Sequence, residues 1–215
     1  MPSARQYRCT WKFEREHWKA GRQRIAGVDE AGRGALFGPV VAAAVILNPS
    51  RRIPGINDSK KLPPRHRESL AIAIKESALA WAIGSADSEE IDRINIYQAS
   101  RLAMQRAVLQ ISPPPDLLLV DAMRVFASIP EIPIIHGDAL SISIAAASII
   151  AKVERDEQMR QWDRIYPQYQ LGKNKGYPTT DHRASLQLHG PTLQHRKSFS
   201  PVSILCQQPL FTGNR

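Results

Sequence analysis

Three apolar runs lead into carboxylates. Ile25-Ala-Gly-Val28 runs into Asp29 and Glu30, Asp116-Leu-Leu-Leu-Val120 into Asp121, and Ile132-Pro-Ile-Ile-His136 into Gly137 and Asp138. Runs of this kind read as buried strands. A carboxylate at the end of one is costly to desolvate unless it meets a cation or a metal. Strand ends at one edge of a sheet bring distant residues together. Four converging acids with no obvious cation partner repel one another, and a divalent ion is the natural neutraliser. All-oxygen ligation points to Mn2+ or Mg2+. Zinc would want Cys or His sets, and the six histidines show no such spacing. Asp29, Glu30, Asp121 and Asp138 are therefore the candidate catalytic and metal-ligating residues. Taken alone, Asp29-Glu30 also fits ordinary turn chemistry, with Asp29 accepting from backbone amides.

The loop that follows, Ala31-Gly32-Arg33-Gly34, has little side-chain bulk apart from one cation. Its backbone N–H groups can approach a phosphate or sugar closely. The interval Gly32-x-Gly34-x-x-x-Gly38 is wrong for a dinucleotide-binding fingerprint, and 39–47 reads as a strand where that motif needs a helix. Successive strand residues point to opposite faces. Asp29 and Glu30 cannot both face one site from a regular strand, so the strand is expected to end at Asp29 or earlier.

The positioning elements follow from periodicity. Strands are expected at 24–28, 40–47, 79–86, 116–121 and 132–136. Helices are expected at 11–19, 65–77, from Asp87 or Ser88 as N-cap, at 95–111, at 140–153 and at 180–188, the last capped by Thr179 or Thr180. Segment 140–153 is apolar nearly all round and hence buried. After Gly190-Pro191 little periodic structure is expected. The order is that of an α/β fold, a mixed sheet covered by helices. Residues 1–23 read as an N-terminal extension, 24–190 as the catalytic domain with a C-terminal helical part, and 191–215 as a tail.

A chain of 215 residues with 43% hydrophobic content buries one good core. The formal charge of +9 argues for a polyanionic partner, and nucleic acid fits best. A membrane surface would want a basic amphipathic helix, and no such segment stands out. The longest apolar runs, 35–47 and 139–151, are too short to span a bilayer. Cys9 and Cys206 lie near opposite ends, which argues against a disulfide framework and for a reducing cytoplasm. The N-terminus has no apolar h-region, so no secretory signal is expected.

Several separated motifs carry a resemblance. They are Gly27-Val-Asp-Glu-Ala-Gly-Arg-Gly34, Asn57-Asp-Ser-Lys-Lys-Leu62, Val120-Asp121-Ala122, Gly137-Asp138, the stretch from Ser143 to Asp156, Lys175-Gly-Tyr-x-Thr-x-x-His182, and Gly190-Pro-Thr-x-x-His-Arg-x-Ser-Phe199. From 25 to about 201 the chain resembles ribonuclease HII, the type 2 ribonucleases H. The resemblance implies a ribonuclease H-like mixed β-sheet flanked by helices, with a small C-terminal helical region. It implies that Asp29, Glu30, Asp121 and Asp138 form the acidic cluster, the first three as principal ligands of Mn2+ or Mg2+. Gly32, Arg33 and Gly34 would lie against the minor groove and sense the 2′-hydroxyl that tells RNA from DNA. Lys60 would lie near the substrate backbone, and Tyr177 would stack on the deoxyribose after a ribonucleotide.

The implied substrates are the RNA–DNA hybrid and duplex DNA with embedded ribonucleotides, cut on the 5′ side of a ribonucleotide by a two-metal mechanism. A cytoplasmic monomer is expected. A related two-metal DNA nuclease would share the carboxylates without needing Gly-Arg-Gly and Tyr177. A non-catalytic binding module would explain the charge but not the four acids. In the tail, Gln207-Gln-Pro-Leu-Phe211 resembles the short peptide by which bacterial repair enzymes bind the sliding clamp. Leu205, Leu210 and Phe211 folding back as a terminal staple is the equal alternative.

Overall fold

The computed structural model describes residues 9–125 and 127–207. In chain order the elements are α1 (Lys12–Lys19), β1 (Ile25–Ala31), β2 (Val40–Ile46), α2 (Pro64–Ser77), β3 (Ala80–Ala86), α3 (Ser88–Gln110), β4 (Leu117–Asp121), β5 (Glu131–Ile134), α4 (Gly137–Leu140), α5 (Ile142–Ile165), α6 (Leu171–Asn174), α7 (Thr180–His189) and α8 (Val202–Gln207). Single 3-10 turns lie at Ser59–Lys61 and Pro167–Tyr169. The strands form one mixed sheet in the order β3-β2-β1-β4-β5, as an α/β fold requires. β1 pairs antiparallel with β2 and parallel with β4.

Pleating divides the core in two. On one face Ala26, Val28, Ala42 and Ala44 meet Ala103 and Ala107 of α3. On the other, Ala43 and Val45 meet Ile74 of α2 with Ile149 and Ile150 of α5. The small residues let the helices come close. At Gly27 the approach is backbone to backbone, for a Cβ there would lie 2.0 Å from the Ser143 carbonyl carbon. Only glycine fits at that position.

α5 is well secured at its start. Ser141 caps it by accepting from the Ile144 N–H. The buried Glu14 of α1 accepts from Ser141 Oγ at 2.6 Å and from the Ser143 N–H at 2.9 Å. A carboxylate there faces the positive end of the helix dipole. α3 begins with a capping box between Asp87 and Glu90. It is kinked at Asn95, where φ is 65°, which accounts for the two helices expected over that span.

Two expectations are corrected. β1 does not end at Asp29: its ladder with β2 continues through Asp29↔Ala43, Glu30↔Ala42 and Ala31↔Val41. After Gly190 the chain is also more ordered than its composition suggests. His195 and Arg196 are completely buried, and α8 closes the described residues with Val202 in the core. No helix among the described residues is long and apolar enough to cross a membrane.

Candidate active site

The parallel ladder between β1 and β4 makes its last pair at Val28↔Val120. One step further, Asp29, still within β1, stands level with Asp121 at the end of β4 and on the same face. Asp138 arrives from the side, in the first turn of α4, just past the end of β5. Asp121 Oδ1 accepts from the Gly137 N–H at 2.7 Å, which ties the β4 end to that turn. Glu30 lies on the opposite pleat from Asp29, yet both feel the Asp121 charge, since β4 stops beside them.

Electrostatics reports the crowding. Burial, then Glu30 and Asp121, hold the Asp29 carboxyl well above the ordinary aspartate value of 3.8. Burial raises Glu30 against the opposing pull of Arg33. Burial and Asp138 raise Asp121. The expectation that these acids lack cation partners is only half right. Lys60 Nζ lies 3.0 Å from Asp138 Oδ2 and Arg33 Nη1 lies 3.4 Å from Glu30 Oε1. Burial alone would depress Lys60, but its hydrogen bond to Asp138 and the charges of Asp138 and Asp29 outweigh it and leave the ammonium raised.

The donor set suits a hard divalent cation. All four groups offer oxygen, Glu30 Oε2 is buried without a hydrogen-bond partner, and Asp29 and Asp121 enter no ion pair among the described residues. No group of three or more His, Cys, Asp or Glu among the described residues is gathered as a ready-made metal site.

Beside the acids opens a cavity of about 250 Å³, lined by Glu30, Gly32, Arg33, Gly34, Lys60 and Tyr177, together with Ser59, Ser148 and Lys152. The predicted substrate residues thus share one recess with one of the four acids. The other three are not part of its lining. Gly34 faces Tyr177, whose Cε1 would lie 4.0 Å from a Cβ at that position. Gly32 has a different task. It adopts φ +96° and lies so close to the Arg155 guanidinium that a Cβ would fall 1.9 Å from Nε.

Sequence reasoning missed several residues that shape this site. Ser148 hydrogen-bonds the Asp29 carboxylate. Ser148 Oγ also lies 2.8 Å from Ser59 Oγ, in a hydroxyl pair in which either group can donate. The buried Arg67 donates to the Ser59 and Leu62 carbonyls, both at 3.0 Å, and so holds the turn that carries Lys60. Lys152 Nζ lies 5.6 Å from the Tyr177 ring centroid and Arg155 Cζ 5.4 Å from it. Arg155, wholly buried, donates to the carbonyls of Pro39, Phe37 and Lys175. Arg196 donates to those of Gly38 and Arg33. Ser59, Ser148, Lys152, Arg155 and Arg196 all lie within the motifs at 57–62, 143–156 and 190–199, but those motifs did not signal these contacts, and Arg67 lies in none of them.

Comparison with known proteins agrees with this architecture. The Ribonuclease HII family model matches residues 26–202. The chain is 51% identical over 210 residues to ribonuclease HII of Solibacter usitatus, covering 98% of this chain and 92% of that one. It is 53% identical over 191 residues to ribonuclease HII of Geobacillus thermodenitrificans, covering 89% and 74%. Among solved structures, the ribonuclease HII of Archaeoglobus fulgidus in complex with PCNA superposes with a TM-score of 0.71 at 26% identity, covering 86% of this chain and 98% of that one. The ribonuclease H2 of Pyrococcus horikoshii gives the same TM-score at 24% identity, covering 85% and 96%.

Proposed function

Since the chain belongs to the ribonuclease HII family, a family of metal-dependent endonucleases that cleave RNA in RNA–DNA hybrids, we propose that it also cuts duplex DNA on the 5′ side of single embedded ribonucleotides. The proposed products carry 3′-hydroxyl and 5′-phosphate ends. The proposed ligands of Mn2+ or Mg2+ are Asp29, Glu30 and Asp121, with Asp138 completing the acidic set. Mg2+ in particular is held by one or two carboxylates plus substrate phosphates, so such a site needs no three-ligand protein cage. When bound, the ions supply Lewis-acid charge at the scissile phosphate and at the attacking water.

The protein's own groups do the rest. Lys60 holds Asp138 in place and supplies positive charge beside the scissile strand. The Gly32–Gly34 backbone approaches the sugar edge in the minor groove, where the 2′-hydroxyl marks a ribonucleotide. Tyr177, opposite Gly34, stacks on the next sugar and favours an RNA–DNA junction. What supports this reading is one observation: Glu30, the Gly-Arg-Gly loop, Lys60 and Tyr177 line a single recess. A DNA-only nuclease would have no use for the Gly34–Tyr177 pair. The tail is proposed to bind a sliding clamp, in keeping with the PCNA complex of the Archaeoglobus relative, although all but Gln207 of that peptide lies outside the described residues.

The test is cleavage of a duplex containing one ribonucleotide, with Mn2+, Mg2+ or chelator. Metal-dependent scission at that residue alone is expected, and Asp121→Asn should lower the rate by at least ~10². Equal cutting of a ribonucleotide-free duplex, or wild-type turnover in Asp121→Asn, would overturn the assignment.

A further inference from the structure

His195 and Arg196 are adjacent, completely buried and remote in sequence from both halves of the recess. Their segment is locked into the molecule. The Gly38 N–H donates to the Gln194 carbonyl and the Arg196 N–H to that of Leu36, each at 2.8 Å. Asp92 of α3 accepts from the Lys197 and Ser198 N–H groups, also at 2.8 Å.

From this anchor two chains of hydrogen bonds run outward. Arg196 forks across the Gly38 and Arg33 carbonyls at 2.9 and 2.8 Å. His195 Nδ1 accepts from the Thr192 N–H at 3.0 Å, so its hydrogen sits on Nε2. That hydrogen is donated to His182 Nε2 at 3.3 Å. His182 in turn carries its hydrogen on Nδ1 and donates it to the Tyr177 carbonyl at 3.0 Å. Each imidazole is thus fixed in one tautomer by what its other nitrogen does.

We propose that His195 and Arg196 are positioning residues for sugar recognition, one holding Tyr177 through His182 and the other holding the backbone of Arg33. The two halves of the recess come from segments some 140 positions apart, and one turn of chain sets the distance between them. This rests on the assignment of Arg33 and Tyr177 to sugar reading. The surroundings keep the relay neutral. His195 is packed edge-on against the Phe37 and Tyr169 rings, with centroids 4.9 and 4.8 Å away. His182 faces the Tyr169 ring and the Gly176–Tyr177 backbone. Among the described residues, neither ring hydrogen-bonds a carboxylate or an ammonium. Burial and the neighbouring His182 push His195 down to about 3, so the relay persists through the working pH range. Arg196 hydrogen-bonds backbone carbonyls and lies 5.2 Å over the Phe199 ring, while its Nη2 is left without a hydrogen-bond partner.

The experiment measures the ratio of two rates, on a duplex with one embedded ribonucleotide and on a continuous RNA–DNA hybrid. Variants are His195→Phe, His195→Gln and Arg196→Lys, with Arg33→Ala and Tyr177→Ala beside them. His195→Phe fills the space but cannot donate, and Arg196→Lys keeps the charge but cannot span two carbonyls. Both should lower the ratio by roughly 10–100-fold, whereas His195→Gln, with an amide N–H near the Nε2 position, should restore most of it. Imidazole nitrogen NMR of the full chain should find His182 protonated on Nδ1 and His195 on Nε2. Equal loss on both substrates, or the opposite tautomers, would overturn the proposal and leave sugar reading intact. An unchanged ratio in Arg33→Ala and Tyr177→Ala would instead remove the sugar-reading assignment, and the positioning role with it.

Discussion

The Lys60 ammonium lies 3.0 Å from the Asp138 carboxylate, joining a 3-10 turn to a helical turn 78 residues away. Arg33 pairs likewise with Glu30, three residues before it in β1, at 3.4 Å. Cations therefore pair directly with two of the acids, while Asp29 and Asp121 enter no ion pair among the described residues and feel the Lys60 charge only from a distance. The residual repulsion sits where a divalent ion would remove it.

That imbalance fixes a pH dependence. A raised folded-state acid keeps its proton in the native protein after the unfolded chain has lost it. Its contribution is fully present below the ordinary aspartate value of 3.8 and is lost as pH rises through the higher folded value. Metal-free Asp29→Asn should lack this loss. At neutral pH it should be more stable than the parent by about 1–2 kcal/mol, and the gain should vanish near pH 4. Mn2+ should raise the melting temperature of the parent and not that of the variant. Denaturation of both proteins across pH, with and without metal, measures this. A stability difference that does not vary with pH would refute it.

The two glycines of the Gly-Arg-Gly loop should respond differently to alanine. At Gly32 the new Cβ would collide with the buried Arg155 guanidinium and φ is +96°, so Gly32→Ala should cost about 2–4 kcal/mol. At Gly34 the nearest atom is Tyr177 Cε1 at 4.0 Å. Gly34→Ala should keep the fold while narrowing the gap a sugar must enter, and so raise KM for the embedded ribonucleotide. Melting curves and steady-state kinetics on both variants separate the two effects.

Removing residues 208–215 should leave cleavage of short duplexes unchanged within about twofold and abolish binding to an immobilised sliding clamp. A fall in melting temperature on truncation, with no clamp binding by the full chain, would favour the terminal staple.

Much of this was legible from the chain because the signals are local. Asp121 and Asp138 announce themselves as acids after short apolar runs, and the five-strand α/β order follows from alternating patterns. The strand end was misjudged for a physical reason. Gly32 marks where the chain bends, but backbone pairing with β2 persists through Glu30 and Ala31 whatever their side chains do. The pairings Lys60–Asp138 and Ser148–Asp29 depend on tertiary approach and leave no periodic trace. His195 and Arg196 stand in the 190–199 motif, but their burial was hidden by type. Buried polar residues that bond backbone carbonyls look, in sequence, like any solvated tail.

The contact between Gly27 and Ser143 acts as an index mark. Because strand and helix touch there backbone to backbone, α5 can neither slide nor turn against the sheet. Its first half sets the phase of its second, so Ser148 and Lys152 reach the recess, and Arg155 packs behind it, by counting helical residues from Ser143. One residue inserted between Ser143 and Ser148 would turn all three by about 100°, withdrawing the hydroxyl from Asp29 and both cations from Tyr177 at once. Length in this half of α5 is therefore under tighter constraint than composition: methyl groups can be exchanged within the core at modest cost, but a deletion or insertion changes which side chains face the recess.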